Sequence, residues 1–199
     1  MSVVPPEGAR MYDEVARAAS LSREEFLRLS GDGLFLVQIP LTPRRASLSE
    51  SATGELDLDL TQGIRTDALL ALQRSREVGQ ALVHRVGSKP IVVLGRKREA
   101  CDLVLPFDGV SRQHAELRPS AGGWSVLDLG SRNGTFVDEV RIPPRVPVPV
   151  EEQTLLQLGA YRAVVMTPGP FHDLASRLRA SRSLSGRHSP GVDPLLPRG

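Results

Sequence analysis

The sequence predicts a mainly β protein: a β-sandwich with a small helical region before it and a disordered tail after it. Three observations carry that expectation. Between Val78 and Met166, short apolar runs recur, each bounded by turn residues, as in sandwiches built from short strands. Glycine and proline number 18 and 16 in 199 residues, a density that suits many turns. Beyond Pro168 the chain is dominated by Ser, Arg, Pro and Gly, which bury too little apolar surface to offset the entropy of ordering them.

Taken in order, Met11, Val15 and Ala18 recur at helical spacing. A second helix has a clearer start. Ser22 and Glu25 form the S-x-x-E capping pattern, Leu21 and Phe26 occupy the staple positions, and Gly31 is a natural stop. Leu34 to Ile39 reads as a buried strand. Residues 40–66 read mostly as loop, and Thr66 can cap a helix running to about Glu77. The expected strands are then Ala81–Val86, Ile91–Leu94, Asp102–Leu105, His114–Arg118, Trp124–Leu129, Thr135–Val137, Leu155–Leu158 and Tyr161–Met166. In the tail, a short helix over Phe171–Leu178 fits the pattern. The expected division is 1–79 as a helical region with one or more strands, 80–167 as the sandwich and 168–199 as the tail.

Several function classes fall away. Runs such as Leu34–Val37 and Ile91–Leu94 are far shorter than the ~18–20 residues of a membrane span. Met1 to Arg10 lacks the apolar core of a signal peptide. One cysteine, Cys101, forms no internal disulfide, and four scattered histidines make no metal cluster, so neither metal nor cofactor is expected and the cytoplasm is the expected location. Lys plus Arg exceed Asp plus Glu by only 25 to 23. Residues 169–199 carry five basic and two acidic groups, too weak a charge to argue for nucleic acid.

Chemistry concentrates in the strand-connecting loops of the sandwich. Gly95-Arg96 follows one strand, Ser111-Arg112-Gln113-His114 precedes another, Asp128 to Thr135 reads D-L-G-S-R-N-G-T, and Leu158-Gly159 precedes the last strand. Loops at one end of a sandwich cluster in space. The converging groups offer guanidinium, hydroxyl and carboxamide donors and no unpaired carboxylate, a set suited to a doubly charged oxyanion. Arginine supplies a rigid fork for charge-assisted hydrogen bonds, serine a short neutral donor, and asparagine both a donor and an acceptor for peptide backbone.

With those residues in view, 80–167 resembles a forkhead-associated (FHA) domain, a β-sandwich that binds phosphothreonine peptides through its loops. The G-R, S-x-x-H and S-x-N-G-T elements match in order and at familiar spacing. The resemblance implies an FHA-like fold and the following roles. Arg96 would hold the phosphate or the adjoining peptide main chain, Ser111 would donate to a phosphate oxygen, and Arg112 would add a second basic contact. Ser131 and Arg132 would line the second loop, with Arg132 facing the phosphate or the residues after it, and Asn133 would pair with peptide backbone. Gly95, His114, Gly134 and Thr135 would be architectural. The partners implied are phosphothreonine-containing proteins, Ser/Thr kinase substrates or a kinase itself, bound without catalysis by an adaptor or regulator. Arg112 and Arg132 suggest a preference for acidic residues after the phosphothreonine.

Other residues are expected to be structural. Cys101 and Trp124 read as packed side chains. Pro143, Pro144, Pro147 and Pro149 confine 141–150 to an edge or a loop, and Asp138-Glu139 fills a turn where Asn-Gly is common; neither is expected to touch the site. Thr53, Thr61, Ser181, Ser183, Ser185 and Ser189 are candidate modification positions. A hydrolase built from Ser111, His114 and Asp128 is disfavoured, since the chain has no G-x-S-x-G elbow. The rival reading is a phosphate-independent interaction or oligomerisation module.

Overall fold

In the computed structural model, residues 9–39, 82–87 and 89–185 are described. Ala9–Arg10 form β1, followed by α1 (Met11–Ser20) and α2 (Arg23–Ser30). Ser22 caps α2 as its sequence indicates: its hydroxyl accepts the Glu25 N–H at 3.2 Å, and Gly31 ends the helix at φ 58°. The strands are β2 (Leu34–Gln38), β3 (Leu82–Val86), β4 (Val92–Gly95), β5 (Leu103–Val104), β6 (Ala115–Ser120), β7 (Gly123–Asp128), β8 (Thr135–Val137), β9 (Val140–Arg141), β10 (Val148–Val150), β11 (Leu155–Leu158) and β12 (Tyr161–Met166). Helix α3 (Pro168–Ser185) follows directly. The helix expected over 66–77 lies outside the described residues, as do Thr53, Thr61 and Ser189.

Two sheets form the sandwich. One has the order β1-β3-β2-β12-β11-β8-β9, the other β10-β7-β6-β4-β5. All strand pairs are antiparallel except β4 with β5. Between the sheets lie Leu36, Leu94, Leu117, Val126, Leu158 and Tyr161, each excluded from solvent.

Strand β2 explains why its segment reads as an unbroken apolar run. Leu34 and Leu36 point into the core between the sheets, whereas Phe35 and Val37 point to the opposite face, where the helices pack. A strand buried on both faces loses the polar alternation of a half-exposed one. Phe35 stacks on Phe171 of α3 at 4.2 Å between ring centroids, and Phe26 of α2 lies 5.8 Å from Phe35.

Two sequence expectations change here. The line at 79/80 does not divide the packing, because β2 runs between β3 and β12 and pairs with both. The tail helix is longer than expected, spanning 168–185 where disorder with at most a short helix was foreseen. Its cause is tertiary: Phe171, Leu174 and Ala175 are buried with Val15, Ala18 and Phe26 of the first two helices. Residues 186–199 lie outside the described residues. The Asp138-Glu139 turn joins β8 to β9 with φ of 49° and 69°, values that favour Asn-Gly in such hairpins. Among the described residues no helix is long and apolar enough to cross a membrane.

Candidate functional site

The glycine of Gly95-Arg96 is fixed by close approach. A Cβ there would overlap the Arg112 carbonyl oxygen and crowd Cys101 Sγ. That proximity lets the Arg96 and Lys97 N–H groups donate to the carbonyls of Ser111 and Arg112 at 2.9 and 3.0 Å. The thiol of Cys101 donates to the same Arg112 carbonyl at 3.0 Å, so it tethers the loop as well as packing under it. Burial pushes its pKa up, which keeps it a thiol and a donor.

His114 joins the second and third motifs. Its Nδ1 accepts the Ser111 N–H at 3.0 Å, so the ring proton sits on Nε2 and donates to the Gly134 carbonyl at 3.1 Å. The ring is fully buried. Burial holds its pKa below the usual histidine value, against the opposing pull of the Gly134 carbonyl and the Asp128 charge. The neutral imidazole is the form that can accept at one nitrogen and donate at the other. This sets a pH dependence. The unfolded chain takes up this proton below about pH 6.5, whereas the folded ring resists it, so stability falls with acid by up to about 1.4 kcal/mol per pH unit. We expect the melting temperature to drop between pH 7 and pH 5, and the drop to be shallower in His114→Asn. Equal slopes in the two proteins would contradict the neutral ring.

Asp128 organises the third motif. Its carboxylate accepts the N–H groups of Gly130 and Ser131 at 2.8 and 2.9 Å and the hydroxyls of Ser131 and Thr135 at 2.6 and 2.7 Å. Burial alone raises its pKa, but these four donors outweigh it and the net direction is down. Thr135 is fully buried, with its hydroxyl turned to Asp128. Ser131 differs from its expected place: its hydroxyl donates to Asp128 and the residue does not line the cleft, because the anion it serves is internal.

A cleft of about 810 Å³ opens over these loops. Arg96, Ser111, Arg112, Arg132 and Asn133 all line it. Ser111 Oγ accepts the Arg132 N–H at 3.1 Å, which occupies a lone pair and leaves the hydroxyl proton available. Asn133 Nδ2 donates to the Gly109 carbonyl at 2.8 Å, which fixes the carboxamide plane. Gly134 adopts φ 80°, and a Cβ on it would overlap the Arg141 side chain.

Two cations lie in the cleft that the sequence motifs do not mark. Lys97 and Arg145 also line the cleft. Lys97 follows directly on the G-R pair, a signal that was available. Arg145 comes from the proline-rich segment expected to stay clear of the site. It arrives because its N–H donates to the Asp128 carbonyl at 2.8 Å and Pro144 bridges Asp128 in parallel. Among the described residues, none of the five cations Arg96, Lys97, Arg112, Arg132 and Arg145 has a side-chain hydrogen bond or ion pair, and no Asp or Glu lines the cleft.

Comparison with known proteins places the chain in a family. A family model described as FHA domain matches residues 92–159. An oxoglutarate dehydrogenase inhibitor from Corynebacterium efficiens is 34% identical over 103 residues, 52% of this chain and 67% of that protein. A protein phosphatase 1 regulatory inhibitor subunit PPP1R8 homolog from Arabidopsis thaliana is 42% identical over 86 residues, 43% of this chain. The chain spans only 23% of that relative's length, and 41% of a Mycolicibacterium smegmatis FHA domain-containing protein, FhaB, which is 40% identical over 33% of this chain. Among solved structures, the FHA domain of an Arabidopsis thaliana hypothetical protein is 26% identical, covering 47% of this chain and 78% of that one at a TM-score of 0.39.

Proposed function

The chain belongs to the FHA-domain family, and on that premise we propose that it is a non-catalytic adaptor or regulator that captures phosphothreonine segments of partner proteins in Ser/Thr kinase signalling. One observation carries the reading: a half-buried hydroxyl with its proton free, Ser111, stands among cations that, among the described residues, are unpaired, in a cleft that no described carboxylate lines.

A phosphothreonine brings about −1.5 to −2 charges and three acceptor oxygens. Arg96 supplies the planar fork for two of them, Ser111 a directed O–H, and Arg132 or Arg112 a further cation. Asn133, with its amide nitrogen held by Gly109, turns its remaining groups to peptide backbone. Each charge-assisted bond contributes roughly 1.5–3 kcal/mol, and the ordering of a flexible peptide takes much of it back. The surplus fits micromolar affinity, about −8 kcal/mol. Binding requires no bond to be made or broken. The partners are phosphothreonine proteins, substrates of such kinases or the kinases themselves.

Calorimetric titration tests this with three peptides of one sequence bearing phosphothreonine, threonine or aspartate at the same place. Phosphothreonine should bind in the micromolar range, with the other two at least about thirtyfold weaker, since a carboxylate has less charge and fewer acceptors. Equal binding of all three would favour the phosphate-independent module instead.

A further inference from the structure

We propose that Arg145 reads a second anionic group on the bound peptide, a carboxylate or a further phosphate, beside the phosphothreonine; the inference rests on the phosphothreonine reading above. Five cations line the cleft, while one phosphothreonine brings about −1.5 to −2 charges, so about three stay uncompensated when it binds alone. Cations gathered in a cleft focus a positive potential, which rewards a ligand carrying more negative charge than a single phosphate supplies.

Arg145 is the member of that set built apart from the phosphate loops. The others belong to the G-R, S-x-x-H and S-x-N-G-T segments, whereas Arg145 sits between the buried Ile142 and strand β10. Its backbone is held firmly. The N–H bonds to the Asp128 carbonyl, Pro144 bridges the same residue, and β10 pairs with β7 through Val148, Pro149 and Val150. Pro143, Pro144 and Pro147 restrict the chain on both sides. Arg145 also adopts φ 62°, a left-handed conformation that a side-chain-bearing residue other than Asn or Asp seldom takes. An exposed arginine is thus presented from a stiff, strained support with its guanidinium unpaired among the described residues. Such pre-organisation reduces what a ligand must order on binding. Asp128 supplies the same anchor to the Ser131 loop, so the phosphate loops and Arg145 share one fixed point.

The experiment is a calorimetric comparison of the full chain with Arg145→Asn and Arg145→Lys. Asparagine tolerates the left-handed backbone, so the loop keeps its shape. Each protein is titrated with a phosphothreonine peptide of neutral flanks, a series with Glu at each flanking position in turn, and a matching series with phosphoserine. Wild type should bind the best acidic peptide at least about tenfold tighter than the neutral one. Arg145→Asn should cut that ratio below about threefold, and Arg145→Lys should retain part of it. Tightening by Glu identifies a carboxylate as sufficient; tightening by phosphoserine alone identifies a phosphate. Equal wild-type affinity for neutral and acidic peptides overturns this inference and leaves phosphothreonine binding standing, as does an acidic preference unchanged in Arg145→Asn. Binding of no phosphothreonine peptide at all removes the underlying reading and this inference with it.

Discussion

Arg96→Ala should weaken binding of a phosphothreonine peptide about tenfold to a hundredfold, the equivalent of losing one or two charge-assisted hydrogen bonds. The same change should move the melting temperature by no more than about 1–2 °C, because the side chain is exposed and no protein group among the described residues depends on it. What holds the loop is the Arg96 backbone N–H on the Ser111 carbonyl, which alanine keeps. Arg96→Lys should recover little, since an ammonium restores the charge but not the fork. Ser111→Ala should reduce affinity comparably for two reasons: it removes the directed O–H, and it leaves the Arg132 N–H without its acceptor. Calorimetry paired with thermal melts checks both. A variant whose affinity is intact while its melting point falls would place Arg96 in the scaffold instead of the site.

Asp128→Ala should be the most destabilising of the substitutions considered, at ~3–5 kcal/mol. Alanine would strand two backbone N–H groups and two hydroxyls around a position that is 3% exposed. Asp128→Asn should cost much less. One oxygen remains for the Gly130 and Ser131 N–H groups, and the Ser131 and Thr135 hydroxyls can rotate to accept from the new NH₂. Acid should partly imitate the alanine change. The folded carboxyl has a depressed pKa, so its contribution is complete above the unfolded value near pH 3.9 and is lost as pH falls through the folded one. Urea unfolding of the two variants at neutral pH measures the gap between them; indistinguishable midpoints would mean that the carboxylate does not hold the loop.

These effects trace back to features with uneven visibility in the sequence. The strand runs were legible because turns and apolar periods are local, and β4, β6, β7, β8, β11 and β12 fall within a residue or two of their expected places. The loop motifs were legible for the same reason: Gly95, Ser111, His114 and Asn133 each lie beside a strand end. Pairing partners were not. Nothing in Leu34–Val37 states that it belongs between β3 and β12, because hydrogen-bond registry is a relation between segments. Two side-chain directions were also hidden. Ser131 turns inward because Asp128, three residues before it, needs donors. Arg145 reaches the cleft because a proline-rich stretch that cannot join a ladder freely is pinned at Asp128 instead. The tail helix was underestimated because the phenylalanine that docks it, Phe171, finds its partners in α2 and β2.

The placement of β2 has a kinetic consequence. Phe35 must meet Met166, and Leu36 must meet Val165, before the larger sheet has continuity, so its middle cannot zip up from neighbouring residues. Contacts between such distant parts of a chain pay their loop-closure entropy before they return any enthalpy. On a ribosome, the early hydrophobic strand emerges long before its later neighbour exists, and it needs shelter from illegitimate pairing in the meantime.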